Sequence, residues 1–124
     1  MAGPLAGKRI LIVEDEYFIA SDLTNAMTDE DASIIGPTGD IAEATRLIAE
    51  EAPDAVILDV NLNQNSAYPL ATDLQKRDIP YIFLTGYDAS YLPAEFSSVP
   101  VVAKPFAMQA VIDAVGRIIG PPPL

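Results

Sequence analysis

The sequence predicts an α/β fold in which helices cover both faces of a parallel sheet, and three observations lead to this prediction. Short apolar runs alternate along the chain with segments whose apolar residues recur at helical spacing. The runs are apolar throughout, which is typical of strands that are buried on both faces. Each run ends abruptly in polar or turn-forming residues, so that a strand and a helix follow each other five times.

The first half of the chain contains three predicted strands, at residues 9–13, 33–36 and 55–59. Two helical stripes lie between them, formed by Ile19, Leu23, Ala26 and Met27 and then by Ile41, Ala44, Leu47 and Ile48. Asp40 is predicted to cap the second helix, with Glu43 as its capping-box partner. Residues 61–66 are polar and are predicted to form a loop.

The second half begins with a predicted helix at residues 68–77, where Pro69 is tolerated in the first turn. A strand at 81–85 follows, and residues 87–98 have weak periodicity that predicts a loop with at most one frayed helix. The strand at 99–103 contains Pro100, which favours an edge position. The last helix has the clearest stripe, formed by Met108, Val111, Ile112, Val115, Ile118 and Ile119, and three prolines after Gly120 end it.

Composition excludes several classes of function. The chain has 124 residues with 7 basic and 18 acidic side chains, a net charge of −11, and neither histidine nor cysteine. A zinc site would therefore lack its usual Cys and His ligands. The chain can form no disulfide and no Ser-His or Cys-His catalytic centre. The acidic surface argues against nucleic acid as a partner, and no apolar stretch is long enough to span a membrane. We expect a cytoplasmic protein with one domain at residues 8–120, between tails at 1–7 and 121–124.

Polar residues follow four of the five predicted strands directly. Glu14 and Asp15 follow the first strand, Asp59 ends the third, Thr85 ends the fourth and Lys104 follows the fifth. Because ligands of open parallel sheets lie at the carboxyl ends of the strands, we expect these side chains to converge at one edge.

Such a cluster of carboxylates predicts a hard divalent cation, since like charges repel and Mg²⁺ prefers oxygen ligands. One carboxylate can then act as a nucleophile toward a phosphoryl group, while the cation, the lysine and the hydroxyl stabilise its charge. Gly86 is expected to keep the space beside Thr85 open.

These residues resemble a response-regulator receiver domain over nearly the whole chain. The motifs that carry the resemblance are Ile12-Val13-Glu14-Asp15, Leu58-Asp59, Leu84-Thr85-Gly86 and Lys104-Pro105-Phe106. The segment 80–87 also resembles a subgroup with a Phe-Ala-Thr-Gly-Tyr-like motif, in which Leu84 replaces the alanine. The resemblance implies a flavodoxin-like (βα)5 fold with strand order 2-1-3-4-5.

The resemblance also implies a role for each site residue. Asp59 resembles the phosphoacceptor, with Thr85 as the switch hydroxyl and Lys104 as the lysine that pairs with the phosphoryl group. Mg²⁺ or Mn²⁺ is expected on Glu14, Asp15, Asp59 and the backbone carbonyl of Asn61. The Lys104–Pro105 peptide bond is expected to be cis.

One departure from the family concerns the switch. Receivers place Tyr or Phe three residues before the lysine, whereas this chain has Val101 there. We hypothesise that Tyr87 takes over part of the reporting role; the alternative is a surface aromatic that tunes access to Asp59. Asn61 and Tyr87 are also expected to influence the phosphoryl lifetime.

The expected function is a phosphorylation switch that accepts its phosphoryl group from a sensor histidine kinase or a histidine phosphotransfer protein and acts on an unknown downstream protein. It is not expected to be an enzyme beyond promoting its own phosphorylation and dephosphorylation. Two alternatives remain, a receiver-like binding module that is never phosphorylated and a haloacid-dehalogenase-like phosphatase that depends on magnesium.

Overall fold

The computed structural model describes residues 3–86 and 92–119. Its strands are β1 (Arg9–Val13), β2 (Ser33–Thr38), β3 (Ala55–Asp59), β4 (Asn61–Leu62), β5 (Asn65–Ser66), β6 (Tyr81–Thr85) and β7 (Val101–Ala103). Five of them form one parallel sheet in the order β2-β1-β3-β6-β7, and β4 pairs with β5 in a separate antiparallel hairpin. With the hairpin set aside, the order is 2-1-3-4-5, and the predicted fold class is confirmed.

The described residues contain four α-helices, α1 (Tyr17–Asp29), α2 (Ile41–Glu51), α3 (Tyr68–Lys76) and α4 (Met108–Ile119). Between β6 and β7 the described residues form a 3-10 turn at Ala94–Phe96 instead of an α-helix. Within the described residues, an α-helix follows four of the five strands of the sheet. The weak periodicity of residues 87–98 had favoured a loop after the remaining strand.

The core consists of two apolar layers, one on each face of the sheet. Along β1, Ile10 and Ile12 face the layer that contains α1 and α4, whereas Leu11 and Val13 face the layer that contains α2 and α3. Successive side chains of a strand point to opposite faces, so a run that is apolar throughout supplies both layers. All five residues of β3 and of β6 are buried for the same reason.

The ends of two strands differ from the prediction. β2 continues to Thr38, two residues beyond the predicted end, and β7 begins at Val101 instead of residue 99. Asp40 caps α2 as predicted, because its side chain accepts the Glu43 backbone N–H at 2.9 Å. The Asp40 N–H donates to Thr38 Oγ1 at 3.1 Å, so Thr38 takes the place that the capping box assigns to the Glu43 side chain.

The predicted loop at residues 61–66 is a hairpin. Asn63 and Gln64 connect its strands with φ of 49° and 68°, the left-handed pair that a two-residue hairpin turn requires. Leu62 is 1% exposed and anchors the hairpin in the core. The sequence did not predict these strands, because Leu62 is the one apolar residue in a polar segment and a single residue forms no alternating pattern.

The segment predicted as an N-terminal tail contributes to the core. Leu5 is completely buried in the layer of α1 and α4. The Gly7 N–H donates to the Asp31 carbonyl at 2.9 Å, which ties the segment to the end of α1. The second predicted tail, residues 121–124, lies outside the described residues, as does the proline stop after α4.

Among the helices of the described residues, none has the length and apolar character needed to cross a membrane.

Candidate functional site

The parallel register brings the predicted site residues together at one edge of the sheet. Val13 lies beside Leu58 in the sheet, so Glu14 follows β1 at the level where Asp59 ends β3. Asp59 in turn lies beside Leu84, and the Thr85 carbonyl accepts the Lys104 N–H at 2.8 Å. The four strand ends therefore place their polar residues within one residue of each other along the strands.

Three carboxylates form the centre of the site. Glu14, Asp15 and Asp59 each present an oxygen within 4.8 Å of the others. Glu14 is 2% exposed and Asp59 5%. Lys104 Nζ lies 2.8 Å from Asp59 Oδ2, with which it forms a hydrogen bond, and 2.8 Å from Glu14 Oε1. A single ammonium thus pairs with two of the three carboxylates.

The charges of the site shift two pKa values. Burial, reinforced by the contact with Asp59, raises the pKa of Glu14 to about 8, and Lys104 opposes this shift only in part. Burial disfavours the ammonium of Lys104, but its contacts with Asp59 and Glu14 outweigh this effect and raise its pKa above the ordinary value. The site therefore favours protonated Glu14 when Lys104 supplies the positive charge alone.

Backbone N–H groups hold each of the three carboxylates. The Asn61 N–H donates to Asp59 Oδ1 at 3.0 Å, and the Asn63 N–H donates to Asp15 Oδ2 at 2.8 Å. The Asp15 N–H donates to Glu14 Oε2 at 3.1 Å. Two of these donors belong to the hairpin, whose contribution the sequence did not reveal.

The structure describes all but one of the other residues that the sequence singled out for the site. Thr85 is 2% exposed at the end of β6. Among the residues that the structure describes, none lies within 4 Å of the place that a Cβ on Gly86 would take. The Lys104–Pro105 peptide bond is cis. Val101 packs against the core layer that contains Phe83 and Phe96, and Tyr87 lies outside the described residues.

A cavity of about 310 Å³ opens onto Asp59. Its lining residues are Glu16, Asp59, Asn61, Gly86 and Lys104. Glu16 was not predicted as a site residue, yet its Oε1 lies 3.3 Å from Lys104 Nζ. Beside it, Tyr17 and Phe18 are 77% and 80% exposed. Neither residue belongs to the apolar stripe that was predicted for α1, which agrees with their exposure.

Gly39 is a second residue that the sequence did not identify. A Cβ at this position would lie 2.7 Å from Asp15 Cα and 2.8 Å from Asp15 Cβ. Only a residue without a side chain lets the connection after β2 approach Asp15 so closely. In the sequence, a glycine in a turn-rich stretch predicts a turn. The residues around Gly39 do not indicate that it contacts Asp15.

The donor set fits a hard divalent cation. Mg²⁺ is bound through carboxylate and carbonyl oxygens, and three carboxylates against one ammonium leave an excess of negative charge. Glu14 Oε1 is buried, and its contact with Lys104 is an ion pair without hydrogen-bond alignment. A buried carboxylate oxygen in this state has an incomplete set of partners, which a cation would complete.

Comparisons with known proteins identify relatives over nearly the whole chain. A family model described as the response regulator receiver domain matches residues 10–116. The transcriptional regulatory protein PdtaR of Mycobacterium tuberculosis is 31% identical over 112 residues, which are 87% of this chain and 55% of PdtaR. The phyllosphere-induced regulator PhyR of Methylorubrum extorquens is 33% identical over 101 residues, 78% of this chain and 38% of PhyR. The chain thus spans about half the length of PdtaR and less of PhyR.

Two solved structures are similar over nearly their full length. SdrG from Sphingomonas melonis has a TM-score of 0.79 and 36% identity, with 94% of this chain and 98% of SdrG covered. The receiver domain of PhyR from Erythrobacter litoralis has a TM-score of 0.82 and 25% identity, with 98% and 99% covered. With a family model that matches most of its length, the chain belongs to the response regulator receiver domain family of two-component signalling.

Proposed function

We propose that this chain is a phosphorylation-dependent switch in which Asp59 accepts a phosphoryl group from a phosphohistidine of a partner protein. The observation that carries the proposal is the position of Asp59. Its carboxylate is buried, contacts Lys104 at 2.8 Å and lines the 310 Å³ cavity through which a donor can approach. Glu14 is equally buried but does not line the cavity.

The proposed step is a displacement at phosphorus. An Asp59 carboxylate oxygen attacks the phosphorus atom, the P–N bond to the imidazole breaks, and its electron pair leaves with the ring. The product is an acyl phosphate on Asp59. Lys104 is close enough to pair with the transferred oxygens once they replace its present contact, and Thr85 supplies a hydroxyl at the end of the adjacent strand.

Glu14, Asp15, Asp59 and the Asn61 carbonyl are the proposed ligands of Mg²⁺, with Mn²⁺ as a substitute. When bound, the cation neutralises charge on the phosphoryl oxygens. The chain's own contribution is to hold these oxygens close together before the donor arrives. The hydrogen bonds from the backbone to Asp59 and Asp15 do this without further side chains.

The phosphodonor has to be another protein, because the chain contains no histidine. A sensor histidine kinase or a histidine phosphotransfer protein fits this requirement. We further propose that the phosphorylated form acts by binding a downstream protein. SdrG, which is 36% identical, has been solved in a BeF3-activated conformation, and this supports an activated state for the present chain.

The test is incubation with acetyl phosphate and Mg²⁺ followed by measurement of the intact mass. We expect a gain of one phosphoryl group that requires Mg²⁺, is lost in Asp59→Asn and is retained in Asp73→Asn. Asp73 is a matched control because it is a half-buried aspartate on α3 whose ion pair with Arg77 lies outside the site.

Two results would contradict the proposal. A folded protein that gains no phosphoryl group would indicate a binding module that is not phosphorylated. Steady turnover of an aryl phosphate without a stable phosphoprotein would indicate a phosphatase.

A further inference from the structure

The β4–β5 hairpin presents three backbone groups to the site. The Ala67 N–H donates to the Val60 carbonyl at 2.9 Å, which makes Val60 and Ala67 a hydrogen-bonded pair. Hydrogen-bonded and non-hydrogen-bonded pairs alternate along an antiparallel ladder, so the next pair, Asn61 and Ser66, is non-hydrogen-bonded. The N–H and the carbonyl of Asn61 therefore point away from Ser66.

These outward groups reach the carboxylates. The Asn61 N–H donates to Asp59, and two residues further along the same edge the Asn63 N–H donates to Asp15 Oδ2 at 2.8 Å. One oxygen of Asp15 is thereby held, which leaves the other for a cation. Asp15 precedes Asn63 by 48 residues, so the hairpin is a support for Asp15 from a distant part of the chain.

The turn at Asn63 and Gln64 determines whether these groups are aligned. A register shift of one residue would exchange the hydrogen-bonded and outward-facing positions and turn the Asn61 groups away from the site. Asn tolerates positive φ, but Gln64 at φ 68° occupies a conformation that long side chains adopt with strain. The Gln64 side chain is exposed.

We propose that the β4–β5 hairpin is a positioning element that sets the cation affinity of the site, and that Gln64 is the residue whose backbone conformation controls it. The inference rests on the proposed function only in taking Asp15 and the Asn61 carbonyl as metal ligands. The hairpin acts through the backbone N–H of Asn63 on Asp15 and through the N–H and carbonyl of Asn61. Leu62 keeps the hairpin against the core.

The test measures Mn²⁺ binding to the unphosphorylated protein by the electron paramagnetic resonance signal of free Mn²⁺, with Mg²⁺ as competitor. Gln64→Val disfavours positive φ because valine is β-branched, and we expect its affinity to fall about 10-fold, as for the loss of a group that orients a metal ligand. Gln64→Gly adopts the same φ without strain and should keep the wild-type affinity or tighten it.

Ala52→Val is the matched control. Ala52 is exposed, has φ 44° and ends α2 at the opposite end of the sheet, before β3 begins. The same substitution strains the backbone there without touching the site, so stability should fall while Mn²⁺ affinity stays unchanged. Wild-type affinity in Gln64→Val, or an equal loss in Ala52→Val, would overturn the proposal.

A second measurement does not depend on the folding of Gln64→Val. Hydrogen exchange of the Asn63 amide should be at least about 10-fold faster in Asp15→Ala than in the wild type, because its acceptor is removed. The Ala67 amide, which donates within the hairpin region, should keep its protection. Equal exchange of the Asn63 amide in both proteins would overturn the proposal.

The two proposals fail in different ways. If acetyl phosphate does not label a protein whose Mn²⁺ affinity follows Gln64 as expected, the phosphorylation switch is wrong and the positioning role stands. If the wild type is labelled and Gln64→Val binds Mn²⁺ normally, the positioning role is wrong and the switch stands. A wild type without Mn²⁺ affinity would overturn the positioning role.

Discussion

At the scale of single residues, the site is a group of acids with too little positive charge. Glu14 has the largest consequence, because it is buried beside Asp59 and shares Lys104 with it. Removing a carboxylate from water disfavours its charged form, and a neighbouring carboxylate disfavours it further. This explains why the pKa of Glu14 rises to about 8.

The raised pKa of Glu14 predicts how stability depends on pH. A carboxyl whose pKa is higher in the folded than in the unfolded chain contributes full stability below its ordinary value of 4.5. This contribution disappears as pH rises toward about 8. The free energy of unfolding of the metal-free protein should therefore decline across this window, at up to about 1.4 kcal/mol per pH unit.

Urea unfolding in the presence of a chelator, repeated from pH 5 to about pH 9, measures this decline. Glu14→Gln has no proton to lose and should show a flatter profile than the wild type. Saturating Mg²⁺ should also flatten the wild-type profile, because a cation compensates the ionised carboxylate. Parallel profiles for wild type and Glu14→Gln would show that Glu14 titrates normally.

At the scale of elements, the site depends on close approach between segments as much as on the strand ends. Parallel register places the acids side by side, and the sequence predicts this from where each apolar run stops. The connection from β2 to α2 lies against the end of β1, where the Glu14 N–H donates to the Thr38 carbonyl at 2.9 Å. Gly39 then passes Asp15 at a distance that excludes a side chain.

Gly39→Ala should consequently disturb the site from outside it. The new Cβ, 2.7 Å from Asp15 Cα, forces a shift of the backbone at one or both positions. We expect a loss of roughly 1–3 kcal/mol in the free energy of unfolding, together with weaker Mn²⁺ binding, because Asp15 moves. Chemical unfolding and Mn²⁺ titration measure the two effects.

Gly116→Ala is the control for this substitution. Gly116 lies in α4, where a Cβ would meet Pro4 at 3.8 Å and no other described residue within 4 Å. Alanine is a better helix former than glycine, so stability should stay equal or rise by about 1 kcal/mol. Unchanged Mn²⁺ affinity in Gly39→Ala would mean that Asp15 accommodates the new methyl group without moving.

At the scale of the whole molecule, the sheet separates two apolar layers, and the N-terminal segment belongs to one of them. Leu5 is completely buried with α1 and α4, although it precedes the predicted start of the domain at residue 8. A single leucine between glycine, proline and alanine has no periodic pattern, and so its burial was not predictable from local sequence.

Leu5→Ala tests whether this segment supports the fold. Truncation of a buried leucine leaves a cavity, and the expected cost is about 2–5 kcal/mol in the free energy of unfolding. Pro4→Ala, at an exposed neighbouring position, should change stability by less than about 1 kcal/mol. Equal urea midpoints for Leu5→Ala and the wild type would restore the interpretation of residues 1–7 as a tail.

The sequence by itself determined the features that depend on local pattern. Short apolar runs predicted each strand of the sheet, and the polar residues at the ends of four of these runs predicted which side chains share one edge. Asp40 was predicted as a helix cap because an N-cap requires only a side-chain acceptor a few residues from its donor. Such features involve residues that are neighbours along the chain.

Only the tertiary structure decided the features that depend on contact between distant segments. The Asn63 amide on Asp15, the contact of Glu16 with Lys104, the approach of Gly39 to Asp15 and the burial of Leu5 belong to this class. Backbone groups carry no side-chain signature, and a distance of a few ångströms between segments follows from packing and register instead of residue type. The acids of the site are therefore visible in the sequence, whereas the groups that hold them in place are visible only in the fold.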